Sequence, residues 1–220
     1  MSLQSVINNA VTIQVDRRKI AGQTMSRSGL VKISSVASNV PWQITIEMAQ
    51  GLKFSRNRAL VEEIDRLDRT AIEVINIGAS NPGLSYITRY QGGLSPAQIA
   101  QMRVSSAANL TLTLNVANVT GTSGTTVIFE PGDYVQLAGN YKYPYTVTSR
   151  VLRGASSTVE VPINRPFIDQ PGYTEVGANV IVGNSVTWQV VMSKKPAWRV
   201  VPYDLLQFTE AFELVEVIED

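Results

Sequence analysis

The sequence predicts a mainly β protein of the α+β kind: antiparallel sandwich or barrel-like sheets with two short helices in the first half. Three observations carry this. Apolar residues recur at every second position in many short segments, the mark of strands with one face toward a core. Clusters of Gly, Pro, Asn, Asp and Ser separate these segments, as turns do. Only two stretches, both before residue 103, follow the helical period.

Taken in order, the first strand is Val11 to Val15. It is followed by the basic cluster Arg17-Arg18-Lys19 and by Gly22, which reads as a hairpin end. Trp42, Ile44, Ile46 and Met48 alternate clearly. In Ser55 to Asp68, Leu60, Val61, Ile64 and Leu67 lie on one face of an amphipathic helix. Arg58/Glu62, Glu62/Arg66 and Asp65/Arg69 stand four apart as opposite-charge pairs on the other. A strand at Ile72 to Ile77 precedes the second helix, which Ser95-Pro96-Ala97-Gln98 opens with a cap, a first-turn Pro and a Gln three residues on, and which should run to about Met102.

Beyond residue 105 no helical period is left. Leu110, Leu112, Leu114 and Val116 alternate, as do Val186, Trp188, Val190 and Met192. Weaker strands are expected at Tyr134 to Leu137, Tyr145 to Leu152, Thr158 to Ile163 and Phe212 to Ile218. Turns fit at Pro131-Gly132-Asp133, Gly121 to Gly124, Gly154 to Ser157 and Gln170-Pro171-Gly172. The expected division is an α+β subdomain over 1–105 with a basic N-terminal segment, and an all-β subdomain over 106–220 with an acidic terminal strand.

Composition limits the chemistry. The 220 residues include no Cys and no His, which excludes disulfides, thiol nucleophiles, imidazole metal sites and Ser-His-Asp triads. Acid-base work falls to carboxylates, but Glu62, Glu63, Asp65 and Asp68 interleave with Arg on a solvated helix face. Asp133 and Asp169 sit in turns, where carboxylates commonly cap backbone N–H groups. Neither a Gly-x-Gly-x-x-Gly nor a phosphate-loop pattern occurs. Asn109-Leu110-Thr111 and Asn118-Val119-Thr120 match the glycosylation pattern, but MSLQSVINNAV lacks the charged and apolar regions of an export signal. No window suits a membrane-spanning segment. The chain is expected to be made in the cytoplasm, not to be an enzyme, and to carry no catalytic residue, metal or cofactor.

The charge is uneven. Residues 1–58 hold eight bases and two acids, while 204–220 hold six acids and no base, within a net charge of +1. Either two solvated ends happen to differ, or opposite-sign surfaces meet in an assembly. Arg17, Arg18, Lys19 and Arg27 are the basic interface candidates. At the other end Trp198, Tyr203, Phe212, Glu213 and Glu216 belong to a proline-punctuated terminal segment. It reads either as an edge strand open to another chain or as the strand that closes its own barrel. Tyr141-Lys142-Tyr143-Pro144-Tyr145 offers a sugar-stacking platform or an amphipathic edge strand.

Several stretches together resemble baseplate or tail-tip proteins of long-tailed bacteriophages. They are MSLQSVINNA with Asp16 to Lys19; GLKFSRNRALVEEIDRLDR; Pro131 to Gln136 followed by YPYTVTSRVLRG; Val159 to Arg165; and a closing pattern of Val186-Thr187-Trp188, Pro196 to Val200, Asp204 to Phe208 and an acidic end. The resemblance implies a late structural virion protein of the viral tail, a baseplate ring subunit linking or nucleating the tail tube. Its partners would be itself in a homo-oligomeric ring, expected to be hexameric, together with tail-tube and baseplate proteins. Genomic DNA would pass through the lumen without specific binding. The alternative is a cell-surface or cell-wall glycan-binding module built on the tyrosine platform.

Overall fold

The computed structural model describes residues 3–17, 20–25, 31–37, 40–67, 70–79, 81–139, 142–169 and 172–218. The first half runs α1 (Gln4–Asn8), β1 (Ala10–Asp16), β2 (Ile20–Met25), β3 (Val31–Ala37), β4 (Gln43–Met48), β5 (Leu52–Lys53), α2 (Phe54–Asp65), β6 (Glu73–Ile75), a 3-10 helix (Pro82–Ile87), α3 (Pro96–Ile99) and β7 (Arg103–Ala108). The second runs β8 (Thr111–Asn115), β9 (Val127–Phe129), β10 (Tyr134–Leu137), β11 (Tyr145–Thr146), β12 (Val151–Leu152), β13 (Thr158–Pro162), β14 (Val180–Val182), a 3-10 turn (Gly183–Ser185), β15 (Trp188–Lys194), β16 (Trp198–Val201), β17 (Leu205–Phe208) and β18 (Phe212–Glu216). The protein is mainly β, as the alternation predicts, and the two expected helices are α2 and α3. The capping box at Ser95 and Gln98 forms in full. Helix α1 carries no sequence signal strong enough to foresee it; its Val6 and Ile7 bury against the main core.

The largest sheet has the order β1-β4-β18-β15-β6, and all its pairings are antiparallel. Alternation gives it one apolar face, with Ile44, Ile46, Met48, Phe212, Leu214, Trp188, Val190 and Met192 all buried. That face packs with α1 and with Leu60, Val61 and Ile64 of α2. A second core gathers residues between Leu94 and Val182, among them Leu112, Leu114, Phe129, Val135, Tyr145 and Val161. The cores therefore divide the chain differently from a cut at residue 105. Met102 and Val104 pack with Leu112 in the second core, and the last strands return to the first, so both ends of the chain fill one core.

The expected strand at Tyr145 to Leu152 is split into β11 and β12, which join different sheets. Gly22 does not end a hairpin. It lies inside β2, where the register with β3 shifts between Gly22 and Gln23, the bulge that a glycine in a strand often marks. Each of the four expected turns holds a glycine in left-handed backbone, Gly132 (φ 94°) and Gly154 (φ 59°) among them.

Helix α2 is capped from a distance. Its preceding residue, Lys53, makes no side-chain cap. The carboxylate of Asp204, in the β16–β17 hairpin, accepts from the Ser55 backbone N–H at 3.0 Å and from its hydroxyl at 2.5 Å. These bonds, the hydroxyl first, hold the Asp204 carboxyl below the usual carboxylate range. The ionised form is thus favoured by folding. Its contribution is fully present above about pH 4, the unfolded value, and is lost as pH falls through the lowered folded value. Asp204→Asn is expected to lower the melting temperature at neutral pH and to leave it nearly unchanged near pH 2; thermal melts across that range check this.

Candidate assembly interface

The face of the large sheet opposite the core is polar. From β1 it presents Thr12, Gln14 and Asp16, from β4 Gln43, Thr45 and Glu47, from β18 Glu213 and Val215, and from β15 Gln189, Val191 and Ser193, all half-buried or exposed. Register sets these side chains in rows across the strands: Gln14 faces Thr45, which faces Glu213, which faces Lys194. Asp16 lies beside Gln43. The Gln43 amide donates to the Glu213 carboxylate at 3.1 Å, and Lys194 approaches Glu213 at 3.7 Å and Glu210 at 2.9 Å. The result is a hydroxyl- and amide-rich surface whose carboxylates outnumber its one Lys.

Strands β1 and β6 are the outer strands of this sheet. Val11 on β1 is 58% exposed, and Ile72 and Val74 at β6 are 50% exposed each, so apolar side chains stand at both open edges. Between β1 and β4 the chain makes an excursion, β2–β3, whose strands pair only with each other among the described residues. A lone two-stranded hairpin is marginal in water. Residues 17–37 carry five bases (Arg17, Arg18, Lys19, Arg27 and Lys32) and no acid.

Arg17 is exposed at the hairpin base and donates to the Thr146 hydroxyl at 3.1 Å, tying the base to β11. Arg18, Lys19 and Arg27 lie outside the described residues. Trp198 opens β16, the outer strand of the sheet β16-β17-β5. Its ring stacks on Phe54 (5.9 Å, 22°), and its indole N–H lies 3.2 Å from both carboxylate oxygens of Asp65. Asp65 also receives Lys195 at 3.1 Å. Tyr203 is 87% exposed at the tip of the β16–β17 hairpin, and it and Asp204 both adopt left-handed backbone (φ 69° and 65°). Such backbone is uncommon for non-glycine residues, and the bonds from Asp204 to Ser55, with Lys53 donating to the Tyr203 carbonyl at 2.9 Å, hold it in place.

Of the two readings of the terminal strand, an edge open to another chain does not form. Strand β18 is central, hydrogen-bonded to β4 on one side and β15 on the other, so it has no open edge for another chain. Phe212 is fully buried and Glu213 lies on the polar face. Glu216 is buried in an ion pair with Arg165, with N–O distances of 2.6 and 2.7 Å. Arg165 also donates to the Pro144 carbonyl at 2.8 Å and lies 4.4 Å from the Trp42 ring center and 5.4 Å from that of Tyr145. The Trp42 backbone N–H completes the carboxylate's bonding at 3.1 Å. Since Arg165 follows β13 of the second core and Glu216 ends β18, this pair clamps the two cores together. Alternation held the clue: Phe212, Leu214 and Glu216 share one side of β18, so Glu216 is a charge in a core position and needs a buried partner.

Two of the three platform tyrosines do not face solvent. Tyr143 and Tyr145 are buried, and burial pushes the Tyr145 hydroxyl up to about 12. Tyr141 lies outside the described residues. Asp133 accepts from the Gln91 and Glu130 backbone N–H groups at 2.7 and 2.8 Å, the turn-capping role its setting suggests. Of the helix pairs, Glu62 and Arg66 meet at 4.0 Å, whereas Arg58 lies over the Phe54 ring at 5.3 Å. Among the described residues, no group of three or more acidic side chains is placed to hold a metal ion, and no helix is long and apolar enough to cross a membrane.

No protein-family model matches the chain, and no curated protein matches it significantly.

Proposed function

We propose that the protein is a non-enzymatic structural subunit of a long-tailed bacteriophage tail, present in several copies in a ring that links or nucleates the tail tube on the baseplate. The observation that carries this reading is the large sheet. It has a polar, acid-leaning open face, two outer strands with exposed apolar residues, and a connection between β1 and β4 whose sequence is basic. A sheet with two different open edges suits heterologous contact around a closed ring. A face of Thr, Gln and carboxylates suits a lumen through which DNA slides, because it offers no row of cations to hold phosphates. The resemblance to baseplate and tail-tip proteins points the same way. The glycan-binding alternative loses most of its support, since two of the three tyrosines that suggested it, Tyr143 and Tyr145, are in the core.

The test is made on purified tails. Mass spectrometry and an antibody label should find the chain in stoichiometric, multicopy amounts at the tube–baseplate end. Its absence from tails would overturn the reading. The polar face gives a second expectation: Thr45→Lys should leave tail yield unchanged while slowing DNA ejection severalfold, because a ring multiplies each new charge by its copy number.

A further inference from the structure

The β16–β17 hairpin carries a different feature at each end. At its tip, the turn of residues 202–204 has positive φ at both Tyr203 and Asp204 (69° and 65°). Asp tolerates this backbone, but a bulky side chain there is an outlier. Glycine would suit position 203 better, yet that position holds the most exposed large apolar side chain among the described residues, at 87%. The Tyr203 ring covers little of its own chain, so packing within the subunit does not account for it. Lys53, whose ammonium donates to the Tyr203 carbonyl, stands beside it, and Arg56 and Arg58 follow on α2, which Asp204 holds through Ser55. All three bases are exposed, and with Asp204 they sum to +2 (three bases, one acid).

At its base, a groove of about 450 Å³ has an apolar floor of Met48 and Phe208, with exposed Val11, Glu47 and Glu210 at the rim. Glu47 has no ion-pair partner among the described residues. Lys194 bonds Glu210, but Glu213 stands beside it, so these four charged groups sum to −2 (three acids, one base). Tip and groove cannot meet within one chain. Strand β17 runs from Leu205 beside the tip to Phe208 in the groove, and its four residues span about 13 Å. It is hydrogen-bonded to β16 on one side and to β5 on the other, so it cannot bend back, and a side chain at the tip falls short of the groove. An exposed aromatic ring in a basic setting and an apolar recess with an acidic rim therefore meet between copies, head to tail.

We infer that Tyr203 anchors a contact between copies of this chain, its ring seated in the groove at the base of the β16–β17 hairpin of a second copy. Tyrosine in an apolar recess is a common hot spot of protein interfaces, and the opposite charges around ring and groove speed encounter and weaken with salt. The contact deepens the ring-subunit reading and rests on it for its biological setting, but it forms or fails in the purified full-length protein alone.

Analytical ultracentrifugation over a concentration series should show wild-type protein self-associating at low salt and dissociating as salt is raised. Tyr203→Gly removes the ring and relieves the backbone, so it should weaken association at least tenfold while the melting temperature holds or rises. Glu47→Lys with Glu210→Lys should weaken association as strongly, with circular dichroism unchanged. The first variant keeps an intact groove and the second an intact tip, so an equimolar mixture should form one heterologous contact and stop at dimers, which neither variant forms alone. A wild-type chain that stays monomeric at all concentrations, a Tyr203→Gly chain that associates as wild type does, or a mixture without dimers would each overturn the inference. So would a Tyr203→Gly chain that melts several degrees lower, since the ring would then serve its own fold. A monomeric wild type would leave the tail location to be judged by the tail experiment.

Discussion

Replacing Glu216 by Ala is expected to destabilise the protein by about 3–5 kcal/mol, enough to remove much of a typical domain's stability. The loss comes from Arg165, not from the carboxylate itself. Arg165 is 1% exposed, and in the variant its guanidinium would keep only the Pro144 carbonyl and the Trp42 and Tyr145 rings. The ring contacts are worth about 0.5–2 kcal/mol each, too little to offset a desolvated cation. The double variant Glu216→Leu with Arg165→Met removes both charges and should recover most of the loss, since buried pairs often exchange for apolar residues at little cost. Urea unfolding of the wild type and the two variants separates the cases. If Glu216→Ala alone were nearly neutral, the clamp between the cores would not exist.

Trp188→Ala should cost about 3–5 kcal/mol, the range for removing a large aromatic side chain from a core. Trp188 is fully buried on β15 between β18 and β6, with the Tyr134 ring edge-on at 5.6 Å. It therefore joins Tyr134, next to the second core's Val135, to the main sheet. Its indole N–H is buried without a hydrogen-bond partner among the described residues, a group that costs stability where it stands. Trp188→Phe keeps an aromatic ring and discards that orphan donor, so its loss should stay within about 1.5 kcal/mol. Comparable losses for Ala and Phe in chemical denaturation would mean that the ring contact contributes little.

The strands that bury one face were legible because alternation is a direct record of burial: Ile44-Ile46-Met48 and Trp188-Val190-Met192 face the core and their neighbours do not. The capping box at Ser95 was legible because its chemistry is local. Strands β2 and β3 were not, since Gly22 and the Ser34-Ser35 pair interrupt any alternation. Nor was the central position of β18. Sequence shows which face of a strand is apolar but not which strands flank it, and the prolines that suggested an edge belong beside β16 instead. The Arg165–Glu216 clamp joins residues 51 apart in sequence, and each alone reads as an ordinary surface charge. For the same reason the terminal acids among the described residues, read as one surface, separate into a buried residue, Glu216, two groups on or beside the polar face, Glu213 and Glu210, and a helix cap, Asp204. Removing residues 204–220 would thus take away a central strand and half a hairpin, and would unfold the sheet before it could test any interface.

In the proposed ring the large sheet is an assembly surface with its polar face turned to a lumen. Cryo-electron microscopy of purified tails tests it most directly. The expected result is a closed ring of copies at the tube–baseplate junction, with Gln14, Thr45 and Glu47 facing the channel. A chain absent from the tails, or a ring in which that polar face looks outward to solvent, would contradict it.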